Sequence, residues 1–173
     1  YEAGAKLDLF DRRARFNAAA FYSDYQNVQR NVPVVIPGST VLSSGIQNAA
    51  TARIEGLELE FTARPIPPLQ LTAAATFLDP KYKRFTIPGA GGAVIDVSAT
   101  PFNYAPKQAF SLSADYTVPT QAGDLDLHLD YAYRGVTYSV GPLVGPGLFG
   151  ATNPTTNRIP AYGILNGQVT WKL

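Results

Sequence analysis

No cysteine and no methionine occur in the 173 residues, and there is a single histidine. The lack of cysteine removes disulfide frameworks, thiolate metal sites and a cysteine nucleophile. A lone histidine excludes a zinc site built from several imidazoles of this chain and leaves any Ser-His-Asp triad resting on His128. Charge is also scarce, at 16% of residues, against about 25% in an average soluble domain. Fourteen Lys and Arg against thirteen Asp and Glu give a net charge of +1, too even for a nucleic-acid binder. No run approaches ~18 consecutive apolar residues, so no transmembrane helix is expected. The opening Tyr1-Glu2-Ala3-Gly4 has neither an initiator methionine nor a signal-peptide pattern, which suggests a start inside something larger or after processing. Apolar residues make up 46% of the chain, so it is not depleted as a disordered segment would be.

What is present is alternation. Leu125, Leu127, Leu129, Tyr131 and Tyr133 fall on one face at period two, and Asp126, His128, Asp130, Ala132 and Arg134 on the other. Strict alternation over ten residues predicts a strand. The same pattern runs through Phe110 to Val118, Leu69 to Phe77, Leu57 to Ala63, Ala3 to Leu9, Phe16 to Tyr22 and Leu165 to Leu173. The spacing predicts about seven strands of roughly 9–14 residues. That is longer than the ~5–6 of a globular strand and close to the ~9–11 of a tilted membrane-spanning strand.

The links alternate as well. Those near 11–13, 64–68 and 119–124 are short, whereas those near 28–48, 80–105 and 135–160 are long and rich in Gly, Pro, Ser, Thr and Asn. An antiparallel up-and-down sheet puts all short turns at one edge and all long loops at the other, as outer-membrane barrels do. Aromatic residues bracket the Leu/Ala/Val band. Tyr22, Tyr25, Phe77, Tyr82, Tyr131, Tyr133 and Tyr138 lie toward the long-loop edge, and Phe10, Phe16, Phe61 and Tyr116 toward the short-turn edge. Alternation alone does not separate a lipid-facing wall from a soluble β-sandwich, because either buries one face.

Five local patterns resemble the late barrel of TonB-dependent outer-membrane receptors. They are Tyr1-Glu2-x-Gly4-x-Lys6, Ala20-Phe21-Tyr22-x-Asp24-Tyr25, Asn48 through Ala52-Arg53-Ile54-Glu55-Gly56-Leu57-Glu58-Leu59-Glu60, Asn103-x-Ala105-Pro106-Lys107, and Tyr162-Gly163-x-Leu165-Asn166. In this order they cover nearly the whole chain. The resemblance implies an all-β, antiparallel, up-and-down transmembrane barrel of roughly 22 strands closed by an N-terminal plug. It also implies import of a scarce nutrient such as a ferric siderophore, driven by TonB, in the bacterial outer membrane. Residues 1–173 would then be a partial barrel of about seven strands, with the plug, the TonB-contacting region and the last strands absent. A passive porin-like barrel and a soluble β-sandwich binding module are the alternatives.

Candidate site residues follow from the alternation. Glu58, Glu60, Asp115, Asp126, His128, Asp130, Arg134 and Gln168 are expected to line a polar lumen. Asp126, His128 and Asp130 share one strand face about 6.6–6.8 Å apart. A metal site there is conceivable, but a polar row paired with cations such as Arg134 is the expectation. Glu58 and Glu60 form a carboxylate pair, read as hydrated wall. No nucleophile elbow and no phosphate loop is present, so no catalytic residue, cofactor or metal is expected, and the chain is not read as an enzyme. Lys81-Tyr82-Lys83-Arg84-Phe85 is the one basic, aromatic cluster. It is expected to begin a long loop, read first as a solvated loop base with a girdle tyrosine and alternatively as a contact for lipopolysaccharide phosphates or an anionic siderophore. Expected partners are membrane lipid, TonB and the nutrient ligand.

Overall fold

The computed structural model describes residues 1–35, 42–89, 92–139 and 157–173. Among the described residues ten strands occur in the order β1 (Glu2–Leu9), β2 (Ala14–Val35), β3 (Leu42–Ile66), β4 (Leu69–Pro88), β5 (Val94–Asp96), β6 (Gln108–Thr120), β7 (Gly123–Arg134), β8 (Thr137–Tyr138), β9 (Arg158–Ile159) and β10 (Tyr162–Lys172). No α-helix is found among the described residues. The seven main strands form one sheet in the order β1-β2-β3-β4-β6-β7-β10, with β5 paired to β4 and a separate β8–β9 ladder. Every pairing is antiparallel. The up-and-down order and the seven strands are as the periodicity predicts.

The short links are tight turns. Phe10, Asp11 and Arg12 all adopt positive φ, between 53° and 67°, and the Arg13 N–H donates to the Phe10 carbonyl at 3.0 Å. Three consecutive non-glycine residues in the left-handed region cost about 1–2 kcal/mol each, so this turn is held closed by the strands that flank it. Between β6 and β7, Gly123 takes φ 116°, where a side chain would be strained. The Thr120 hydroxyl donates to the Gly123 carbonyl at 2.6 Å.

Register determines what the sheet presents. Leu7, Phe16, Phe61, Ala73, Leu112, Tyr131 and Leu165 lie side by side across all seven strands. One row away, Asp8, Arg15, Thr62, Thr72, Ser113, Asp130 and Asn166 do the same. Period-two alternation is therefore in phase from strand to strand, and a single-residue slip anywhere would exchange the two faces. No second layer covers the apolar face among the described residues. Leu7, Leu112, Leu129, Leu165 and Val169 are 49%, 50%, 52%, 64% and 68% exposed. Ile164, beside Ala132 on β10 and β7, and Phe21, Ile54 and Leu78 on β2, β3 and β4 are apolar members of the polar face.

Three strands outrun the expected 9–14 residues: β2 has 22, β3 has 25 and β4 has 20. Much of the expected loops at 28–48 and 80–105 is therefore strand. Two irregularities hide these extensions from the sequence pattern. The β2–β3 register shifts between Tyr25 and Val28, next to Asn27 at φ 56°, and the β3–β4 register shifts between Thr51 and Ala52. A bulge adds a residue and breaks the phase of the alternation. Ser43-Ser44-Gly45 also looks like loop by composition alone. The glycine- and proline-rich stretch expected at 141–147 and the one at 36–39 lie outside the described residues.

The strand extensions carry a small core. Val32, Ala50, Ala52, Tyr82, Phe85, Ile87 and Val97 are buried together. They are seven of the eight buried apolar side chains among the described residues, Ala14 being the other. The segment after β5 closes over them: the Val97 N–H donates to the Phe85 carbonyl at 2.8 Å, and the Phe85 N–H to the Ser98 hydroxyl at 2.9 Å.

Candidate functional site

The polar face is an array of cross-strand partners. Asp115, His128 and Gln168 are register neighbours on β6, β7 and β10. His128 Nδ1 stands 2.6 Å from Asp115 Oδ1, and its Nε2 3.4 Å from Asp130 Oδ1. Asp130 accepts from Asn166 Nδ2 at 2.9 Å. Asp126 accepts from the Thr117 hydroxyl at 2.7 Å and pairs with Lys172 at 2.5 Å. Arg134 donates to the Tyr104 carbonyl at 3.1 Å, so its partner is the link before β6 and not the Asp126–Asp130 row. On β3, Glu60 accepts from Asn17 Nδ2 at 3.0 Å. Glu58 sits one step along the same face, between Ala19 and Thr76.

The eight residues expected on one polar face thus share it, but in two groups. Glu58 and Glu60 stand on β3, and the other six on β6, β7 and β10. The groups are separated by β4, which contributes Thr72, Ala74 and Thr76 to this face. The contact of His128 with Asp115 is invisible in sequence, where the two lie thirteen residues apart. Only the β6–β7 register brings them together.

Lys81-Tyr82-Lys83-Arg84-Phe85 does not begin a loop. It lies inside β4, and alternation together with the extra residue at Lys83, where the β3–β4 register shifts, divides it. Tyr82 and Phe85 turn inward and are 6% and 0% exposed. Their rings pack at 5.0 Å, Phe102 stacks on Tyr82 at 4.2 Å, and the Arg30 guanidinium stands 5.5 Å and 5.8 Å from the two ring centroids, within cation–π range. Arg30 also donates to Asn103 Oδ1 at 3.3 Å. Burial pushes the Tyr82 phenol pKa up, against the opposing field of Arg30. Tyr82 and Phe85 are consequently core residues, packed with Val32, Ala50, Ala52, Ile87 and Val97 away from water. Lys81 and Lys83 keep 56% and 46% of their side-chain surface exposed.

These observations define a class: part of the wall of an up-and-down β-barrel, apolar on one face and polar on the other, with strand extensions at its long-loop edge. A family described as "TonB dependent receptor-like, beta-barrel" matches residues 1–173. The chain belongs to that family of TonB-dependent receptors. The metal-pseudopaline receptor CntO of Pseudomonas aeruginosa is 37% identical over 79 residues, 46% of this chain and 10% of that protein. Among solved structures, the siderophore receptor PiuA from Acinetobacter baumannii superposes with a TM-score of 0.68 at 21% identity, over 99% of this chain and 22% of that one. The ferric yersiniabactin uptake receptor FyuA from Yersinia pestis gives 0.66 at 20% identity, over 99% and 22%. The chain therefore spans about a fifth of these structures and a tenth of the curated relative.

Proposed function

We propose that the intact protein is an outer-membrane receptor that imports a scarce nutrient of the metal–siderophore class, with energy delivered through TonB. Residues 1–173 supply part of its wall. The observation that carries this reading is the in-phase pair of faces across seven strands, found in a chain of this family. Closed barrels are one of two structures that satisfy every backbone group in lipid. The described β1 and β10 each pair on one side only, so strands elsewhere in the intact protein complete the wall.

The apolar rows face hydrocarbon. The rows holding Glu58, Glu60, Asp115, Asp126, His128, Asp130, Arg134 and Gln168 face the interior and the plug that fills it. Named relatives include a metal-pseudopaline receptor and a ferric yersiniabactin uptake receptor, which supports a chelated metal as cargo. The test is uptake of radiolabelled ferric siderophores by cells that express the intact protein, with and without TonB. Accumulation only in TonB-containing cells is the expected result. Accumulation independent of TonB would make the protein a passive pore.

A further inference from the structure

Beyond Phe77 the sheet parts. β6 begins at Gln108, opposite Phe77 on β4, and the rung above it is the Leu78 N–H donating to the Lys107 carbonyl at 2.9 Å. β4 continues to Pro88, and on that side it regains a strand partner only where Thr86–Pro88 meet β5. β7 ends at Arg134, and β8 pairs with β9 in a separate ladder. Among the described residues no strand joins the β2–β5 extension to the β8–β9 ladder, so a seam runs between them at the long-loop edge.

Residues 97–107 cross this seam as a strap that is not itself strand. The strap lies over the polar face. Tyr82, on which Phe102 stacks, is opposite Ala52 and shares a face with Ile54 and Glu58. Arg134, its partner on β7, belongs to the row of Asp126, His128 and Asp130.

The two sides hold the strap by different means. On the β2–β4 side, Val97 is fully buried and its N–H bonds to the Phe85 carbonyl. Phe102 stacks on Tyr82, and Asn103 accepts from Arg30. On the β7–β8 side the backbone of Tyr104 makes the attachment. Its N–H donates to the Tyr138 carbonyl at 2.9 Å, and its carbonyl accepts from Arg134 Nη2 at 3.1 Å. The residue is 58% exposed, so apolar burial adds little at this end.

Tyr104 is also strained, at φ 52°. A bulky residue rarely adopts the left-handed region, and such strain persists only while its surroundings enforce it. Pro106 fixes its own φ and keeps Ala105 extended, so the chain between Tyr104 and the Lys107 rung is stiff. A change in the direction of the strap therefore falls on Tyr104. That residue has two arrangements: left-handed and bonded to Tyr138 and Arg134, or at ordinary negative φ and released from both.

We propose that Tyr104 is the latch of this strap: its return to negative φ frees the strap from β7 and β8 while Val97 stays seated on β4, and the seam opens to admit cargo to the interior. The admission of cargo rests on the receptor reading, whereas the latch itself does not. The test is hydrogen exchange with residue-level fragmentation on the intact protein in detergent. After correction for intrinsic rates, the amide of Tyr104 should exchange at least about tenfold faster than that of Val97. Tyr104→Val places a β-branched residue in the left-handed region and should speed exchange at position 104 about tenfold. Tyr104→Asn tolerates that region and should slow it about threefold. Both remove the ring, so their difference reports the backbone, and Val97 should not change in either. Equal exchange at 97 and 104 in wild type overturns the latch, as do equal rates in the two variants. Initial uptake of radiolabelled ferric siderophores, at matched receptor levels, should be about threefold slower in Tyr104→Asn than in Tyr104→Val. Equal uptake overturns the role of the latch in admission. A wild type that takes up none fails the receptor reading instead, and the exchange ratio, which needs no cargo, tells the two failures apart.

Discussion

The lower sheet and the strand extensions obey opposite rules with the same residue types. In the lower sheet, Leu112, Leu129 and Leu165 are half or more exposed, and almost nothing is buried within the chain. Above it, Phe85, Val32 and Val97 are 0–1% exposed and form a core of the ordinary globular kind. In the proposed receptor the two regions meet different solvents. A wall between hydrocarbon and a polar interior would need no core of its own, because lipid would cover the apolar side. Strands that continue past the lipid would meet water on both faces and bury their apolar side chains on themselves.

Phe85→Ala is the strongest way to break this contrast. It should cost about 3–5 kcal/mol and expose the Tyr82, Arg30 and Phe102 stack. Hydrogen exchange on the intact protein should show lost protection in 82–88 and 94–98, with β7 and β10 unchanged. Loss spreading into β7 would mean that the extensions and the wall form one cooperative unit.

Leu129→Arg probes the wall. The residue lies at the middle of the apolar positions of β7, so folding into lipid should lose about 2–4 kcal/mol, measured by urea titration in vesicles. The same substitution would cost little on a water-exposed surface, so a negligible effect would remove lipid from that face.

Gly163→Val should have a smaller effect. The Tyr131 ring and hydroxyl occupy the space that a Cβ at Gly163 would enter, and overpacking of this kind costs about 1–3 kcal/mol. The corresponding thermal shift should disappear when Tyr131 is shortened to Ala in the same chain.

The smallest effect is expected from Asp24→Asn, at an exposed ion pair. The hydrogen bond from Lys83 holds the Asp24 carboxyl below the ordinary carboxylate range. Its folded pKa is thus lowered relative to the unfolded chain. The stabilising contribution is complete above about pH 4 and disappears as pH falls through the lowered value. Thermal midpoints of wild type and variant should differ slightly at pH 7 and converge in strong acid and in high salt. A difference that persists in acid would assign the effect to packing.

Much of the wall is legible in the sequence, because the period of two is local. The face of Leu129 and that of Asp130 follow from the chain alone, and so does the polar row from Glu58 to Gln168. The extensions are not legible, for a physical reason. The bulge at Asn27 and the shift near Tyr82 reset the alternation, and Ser43 to Gly45 have loop-like composition inside a strand. Lys81 to Phe85 therefore looked like one exposed basic cluster, whereas strand geometry sends its aromatic members into a core and its lysines to the outer face.

The sequence by itself determined the seven main strands, their up-and-down order and the split of each into an apolar and a polar side, since these depend on neighbours one or two residues away. Only the tertiary structure decided that Asp115 meets His128, that Asp24 meets Lys83, and that Tyr82 and Phe85 are buried. Those outcomes depend on the register between strands and on the bulges that shift it, and register is settled by pairing between segments that are distant in the chain.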